Sequence, residues 1–247
     1  MNVAVVFTPA SLNQGSLAGR PVLVLDILRA TTTIAAALAR GARAVLPAAS
    51  AEDALKLAQN LERGSVLLAG ERRSERISGF DLGNSPLEMT PEAVAGKTLV
   101  MTTTNGIPAV LAAGDGRPVI LGAAVNFRAA AAAARQAFDE TGELTILCAG
   151  RDKGFALEDA YAAGRFIEAI VPGKLRRSLE VNDAVLAARE LVRKFGTDWQ
   201  KVLSASAHGR YLKRLGFAPD LAFAAQENLL EVVPQYTDRR ITAAGRG

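Results

Sequence analysis

Residues 21–39, PVLVLDILRATTTIAAALA, narrow the possible folds of this chain more than any other stretch. The apolar run 22–25 is of the kind that fills a strand covered on both faces of a parallel sheet. Asp26 ends it abruptly, Arg29 and three hydroxyls (Thr31, Thr32, Thr33) follow, and the Ala-rich stretch 34–38 reads as helix. Strand, turn and helix in that order put a carboxylate at the carboxyl end of a strand. They also put hydroxyls and free backbone N–H groups at a helix start, where an anion is favoured. A carboxylate beside an anion cradle makes sense if a divalent cation bridges the two, which outlines a phosphate-and-metal site.

The remainder supplies further units of the same kind. Apolar runs at 3–7, 44–47, 66–69, 98–101, 118–121 and 144–148 read as strands. Ser50, with Asp53 three residues on, predicts an N-cap for a helix through Leu61. Asn126 is expected to cap a helix over 128–140, Glu158-Asp159 to open another, and Asn182-Asp183 to begin a long one through Phe195. The pattern stays helical from Trp199 to Leu230, and Val232-Val233-Pro234 is expected at the surface or at an edge. Residues 71–97 lose regular patterning, and a loop this long in a compact domain is usually functional. Ile77, Phe80, Leu82 and Leu87 are expected to tie it to the body of the fold.

Strands alternating with helices predict an α/β fold with a largely parallel sheet flanked by helices. We read 1–247 as one unit, with a subdivision near 120–125 as the alternative. In such sheets ligands bind outside the carboxyl ends of strands. Asp26, Glu71, the cluster Thr102, Thr103, Thr104 and Asn105, and the loop 148–158 all fall at such ends, which predicts one shared site.

Composition narrows the partners. A net charge of +4 suits an anionic small molecule. The cations are scattered apart from Arg-Arg pairs at 72–73, 176–177 and 239–240, without the interleaved aromatics that stack bases, so no nucleic-acid role is expected. No segment reads as a signal peptide or membrane span. A single cysteine, Cys148, allows no internal disulfide and points to the cytoplasm. Self-association into a homo-oligomer stays open.

Glu71, Asp81, Glu158 and Asp159 join Asp26 as candidate ligands of a hard cation such as Mg²⁺, although each could equally cap a helix or pair with an arginine. Arg29 and Arg72 are candidates to grip a phosphate or sulfonate bidentately. One histidine, His208, excludes a multi-histidine metallophosphatase. Cys148 has no arginine six residues on, His208 lacks the preceding arginine of a histidine-phosphatase signature, and Asp26-Ile27-Leu28 lacks a second aspartate. No P-loop and no G-x-G-x-x-G is present. His208 and Cys148 are therefore expected to be packing residues. Asp26 remains as a nucleophile or as a metal ligand that positions water.

The stretches VLDILRATTTIAAAL, LLAGERRSERISGFDLGNSPLE, MTTTNG, LCAGRDKGFALEDAYAAG and VNDA together resemble the 2-phosphosulfolactate phosphatase family, and GFDLGNSP with TTTNG is the specific part. The resemblance implies a distinctive α/β fold and a Mg²⁺-dependent hydrolysis of 2-phospho-3-sulfolactate to 3-sulfolactate and phosphate, a step associated with coenzyme M synthesis. It implies that Asp26, Glu71, Asp81, Glu158 and Asp159 are the acidic site residues, with Asp26 and Arg29 at the chemistry. It also implies that Arg29, Thr31, Thr32, Thr33, Arg72, Thr102, Thr103, Thr104 and Asn105 bind the anion. Arg73 and the loop Arg151-Asp152-Lys153 look like positions that tune specificity. Two other readings stand beside this one: a phosphatase for a related small organic phosphate, and a non-catalytic binder of a phosphorylated or sulfonated metabolite.

Overall fold

Short apolar runs set the strands. In the computed structural model, which describes residues 1–13, 15–62, 64–171 and 179–245, these runs and their neighbours form an eleven-stranded sheet. The Arg176-Arg177 pair lies outside the described residues. The strands are β1 (Asn2–Val6), β2 (Val22–Leu25), β3 (Ala44–Pro47), β4 (Val66–Arg72), β5 (Glu75–Arg76), β6 (Thr98–Thr102), β7 (Val119–Gly122), β8 (Glu143–Cys148), β9 (Glu180–Val181), β10 (Pro234–Thr237) and β11 (Arg240–Ala243). Their order across the sheet is β5-β4-β6-β3-β11-β10-β7-β2-β8-β1-β9.

The helices are α1 (Ala30–Ala39), α2 (Ala51–Gln59), α3 (Pro91–Val94), α4 (Gly106–Ala112), α5 (Phe127–Thr141), α6 (Leu157–Ile170), α7 (Asp183–Phe195), α8 (Trp199–Ala205), α9 (Ala207–Arg214) and α10 (Ala218–Ala224). Two of the expected caps form. Ser50 Oγ accepts the Asp53 N–H at 3.0 Å, and Asn182 Oδ1 accepts the Val185 N–H at 3.3 Å. Asn126 instead turns inward, accepting from Ala123 N and donating to Leu121 O and Val232 O. Among the described residues no helix is long and apolar enough to cross a membrane.

β2 occupies the centre of one block, parallel to β7 on one side and β8 on the other, with Leu25 opposite Gly122 and Cys148. All four of its residues are buried, as its uninterrupted apolar pattern requires. β4, β6 and β3 form a second parallel block. The C-terminal hairpin β10–β11 joins the two, antiparallel to β7 and to β3. Three successive antiparallel pairings mean that the two parallel blocks run in opposite directions.

This hairpin corrects the expectation for the segment around 232–234, which leads into the middle of the sheet. Tyr236 and Ile241 are buried there. Pro234, which cannot donate to a ladder, is the first residue of its strand and is paired only with Ala243. Asp238 and Arg239 both have positive φ, 47° and 60°, as a two-residue hairpin turn requires. The segment 71–97 is anchored by buried Phe80 and Met89, while Leu87 is exposed. Leu82 bonds alongside β4 through Gly70 N and Leu68 O.

Candidate active site

Residues leaving the carboxyl ends of both blocks meet in one cavity of about 260 Å³. The β2–α1 turn contributes Asp26, Leu28 and Arg29. The end of β4 adds Glu71, Arg73 and Ser74, the segment beyond it Asn84, and the β6–α4 turn Thr104 and Asn105. Arg151 and Asp152 come from the loop after β8, and His208 and Tyr211 from α9.

Asp26 is 6% exposed. Gly106, the first residue of α4, is pressed so closely against it that a Cβ there would overlap Asp26 Oδ2 and the Ala30 methyl. The β6–α4 turn can therefore reach the carboxylate only with glycine at this position. Burial pushes the Asp26 carboxyl up to about 7, with Glu71 and Glu158 adding to the rise and His208 and the Ala30 backbone N–H opposing it. Burial raises Asp159 as well, with Asp26 and Glu158 reinforcing the effect, against backbone N–H donors from Ile27 and Gly150.

A carboxyl raised in the folded state contributes stability that is full below its unfolded pKa and is lost as pH rises through the folded one. Metal-free protein should accordingly lose stability between pH 4 and pH 8. Asp26→Asn should flatten that part of the profile and exceed the wild type at pH 8 by on the order of a few kcal/mol. Urea unfolding in chelator at both ends of the range measures this, and parallel profiles for the two proteins would contradict it.

The other sequence candidates divide into those that face the cavity and those that build its walls. Arg29 faces it, yet both terminal nitrogens are committed, to Asp220 Oδ2 at 2.7 Å and to Ser74 O at 2.7 Å, and its guanidinium lies 4.2 Å from the Phe217 ring centroid. Helix α1 begins at Ala30, so the threonines sit inside its first turn. Their hydroxyls donate to backbone, Thr31 to Asp26 O, Thr32 to Ile27 O and Thr33 to Asn84 O. Thr103 Oγ1 accepts the Ile107 N–H, and Thr102 Oγ1 accepts from Arg72, which does not line the cavity.

Glu71 braces two loops, accepting from Ser74 N and Thr104 N, each at 2.7 Å. Asn105 Oδ1 accepts from Asp152 N at 3.2 Å. Asp159 holds Ile27 N at 2.9 Å and Gly150 N at 3.1 Å. Asp81 is exposed, accepts from Leu68 N and lies outside the cavity. Glu158 is 2% exposed, with Oε1 3.5 Å from His208 Nδ1.

The 2-phosphosulpholactate phosphatase family model matches residues 6–239, which include every residue lining the cavity. The chain belongs to this family. It is 40% identical over 225 residues to a probable 2-phosphosulfolactate phosphatase of Symbiobacterium thermophilum, covering 91% of this chain and 94% of that one. A protein of the same name from Caldanaerobacter subterraneus is 36% identical over 225 residues, 91% of each chain. Another, from Carboxydothermus hydrogenoformans, is 37% identical over 235 residues, 95% of this chain and 93% of the other. Family membership makes the chain a phosphatase, a phosphoric monoester hydrolase.

For a 2-phosphosulpholactate phosphatase family member, several cavity residues lay beyond sequence reasoning. His208, expected to pack, lines the cavity with Nε2 3.4 Å from Ser74 Oγ. Its only signal was that it is the one histidine in the chain. Tyr211 follows it one helical turn later. Asn84 stood within the GFDLGNSP motif but was not singled out. It is buried, and its Oδ1 has no hydrogen-bond partner among the described residues. Cys148 does pack, fully buried, and burial pushes its thiol pKa up.

No group of three or more His, Cys, Asp or Glu side chains among the described residues is arranged as a metal cluster. Mg²⁺ does not require one, since it keeps several waters and takes one or two carboxylates. Asp26 and the orphaned Asn84 Oδ1, which line one cavity, are oxygen donors of the type such an ion takes, whereas Glu71 and Asp159 already accept backbone N–H groups, and Asp81 and Glu158 are not among the lining residues.

Proposed function

We propose that this chain is a Mg²⁺-dependent, cytoplasmic phosphohydrolase that converts 2-phospho-3-sulfolactate and water to 3-sulfolactate and phosphate. The observation that carries the reading is the buried Asp26 carboxylate, with its pKa raised to about 7, sharing one cavity with the arginines Arg73 and Arg151. The names of the relatives supply the substrate.

Asp26 and Asn84 Oδ1 would hold Mg²⁺, with the Glu158 carboxylate adding negative charge behind Asp26; the ion when bound neutralises phosphoryl oxygens and lowers the pKa of water. Asn105, whose Oδ1 is held by Asp152 N, has its side-chain N–H groups to offer a phosphoryl oxygen. Asp26 orients the attacking water from a rigid strand end. The water oxygen bonds phosphorus as the ester P–O bond breaks. The water gives up a proton, and the departing alkoxide gains one. His208, set between Ser74 and Glu158, is the side chain placed for that exchange.

Phosphate release from 2-phospho-3-sulfolactate by the purified chain tests this reading. Release is expected in Mg²⁺, is lost in EDTA and returns when Mg²⁺ or Mn²⁺ is added back. Full activity after chelation and dialysis would remove the metal from the account. Saturable binding without release of phosphate from any ester would make the chain a binder.

A further inference from the structure

Three arginines line the cavity, and they are not equivalent. Arg29 is 3% exposed and committed to Asp220, Ser74 and Phe217. Arg73 is exposed, and its side chain makes no hydrogen bond or ion pair among the described residues. The Arg151 guanidinium lies 4.9 Å from the Tyr211 ring centroid, and Nε is 3.5 Å from Asp152 Oδ2. That aspartate side chain is 76% exposed, so solvent screens the pair and leaves the guanidinium free to meet a ligand.

Both rim loops are held in place. Tyr211 supports Arg151 with its ring and donates its hydroxyl to Arg73 O at 3.4 Å, so one side chain of α9 touches both rim loops. Each loop also carries two successive non-glycine residues with left-handed backbone, Arg73 and Ser74 at φ 54° and 70°, Asp152 and Lys153 at φ 50° and 63°. In both loops this is the backbone of a two-residue hairpin turn, closed by Arg72 paired with Glu75 and by Arg151 bridged to Gly154. Side chains of the site tie both turns down: Glu71 takes the Ser74 N–H and Asn105 takes the Asp152 N–H. The Arg151 guanidinium and the Arg73 backbone are thus positioned relative to the Asp26 end of the cavity.

We propose that Arg73 and Arg151, braced by Tyr211, form a second-anion subsite. It selects phosphate esters that carry a further anionic group, sulfonate or carboxylate, over esters with phosphate alone. The inference rests on the phosphatase reading and adds which residues set substrate class. A guanidinium matches the flat carboxylate and the three-oxygen sulfonate face equally well. Arg29 supports the wall behind the site and leaves this discrimination to the rim.

The test compares 2-phospho-3-sulfolactate with p-nitrophenyl phosphate for the wild type, Arg73→Gln, Arg151→Gln and the double variant, all in Mg²⁺. Each single variant should lose about 10- to 100-fold in kcat/KM on the multiply charged ester, chiefly through KM, and stay within about 3-fold on the aryl ester. The double variant should lose the preference. Tyr211→Ala should weaken it in the same direction, because Arg151 loses its support. Equal losses on both substrates, or none, would overturn the subsite. A wild type that prefers another phosphate ester of a sulfonated or carboxylated acid would replace the named substrate yet support the subsite. A wild type that prefers p-nitrophenyl phosphate to every such ester would overturn it.

Discussion

Arg29→Ala is expected to lower folding stability by about 3–5 kcal/mol, the range for breaking a buried ion pair from one side. Arg29 and Asp220 are 191 positions apart and join the β2–α1 turn to α10, with side chains 2% and 3% exposed. Asp220 also accepts from Ser85 Oγ at 2.7 Å. Removing the guanidinium leaves that carboxylate buried with only a neutral partner. It also frees the Ser74 carbonyl and removes the cation that covers Phe217. A loss of this size is a large part of the 5–15 kcal/mol that holds a typical domain. Urea denaturation measures it, and Arg29→Met combined with Asp220→Leu should recover most of it because the isolated charge is gone. A single variant within about 1 kcal/mol of the wild type would show that the pair is not holding the cavity wall. Residual activity should fall alike on all substrates, in contrast with the rim arginines.

Two of the strand ends that build the site were readable in advance because their apolar runs stop at polar residues. Val22–Leu25 halting at Asp26, and Thr98–Thr102 running into Thr103, Thr104 and Asn105, were enough to place two walls of one cavity. Hydroxyl clusters were harder to interpret. A threonine that closes on a nearby carbonyl, as Thr31 does on Asp26 O, occupies the same sequence position as one that faces a ligand. The long-range partners left no local trace. Asp220 and His208 sit in short C-terminal helices whose pattern indicates only helix, and nothing near them in sequence signals a partner across the cavity. The β10–β11 hairpin was missed because its turn uses Asp238-Arg239 in place of the usual Asn-Gly, and because Pro234 marks an edge more often than a central strand.

The central claim is that phosphate ester hydrolysis occurs at the buried Asp26 carboxylate between the two blocks. Its most direct test is turnover of 2-phospho-3-sulfolactate in Mg²⁺ by purified Asp26→Asn and Cys148→Ser, each shown to be folded by circular dichroism. Asn keeps the shape of the side chain beside Gly106 but removes the charge that would hold the cation and orient the water. Turnover should fall at least ~10³-fold, as when other charge-stabilising groups are removed from active sites. Cys148 is fully buried in β8 with its thiol pKa raised, and its serine variant should keep most of the activity. An active Asp26→Asn enzyme beside an inactive Cys148→Ser one would contradict the account.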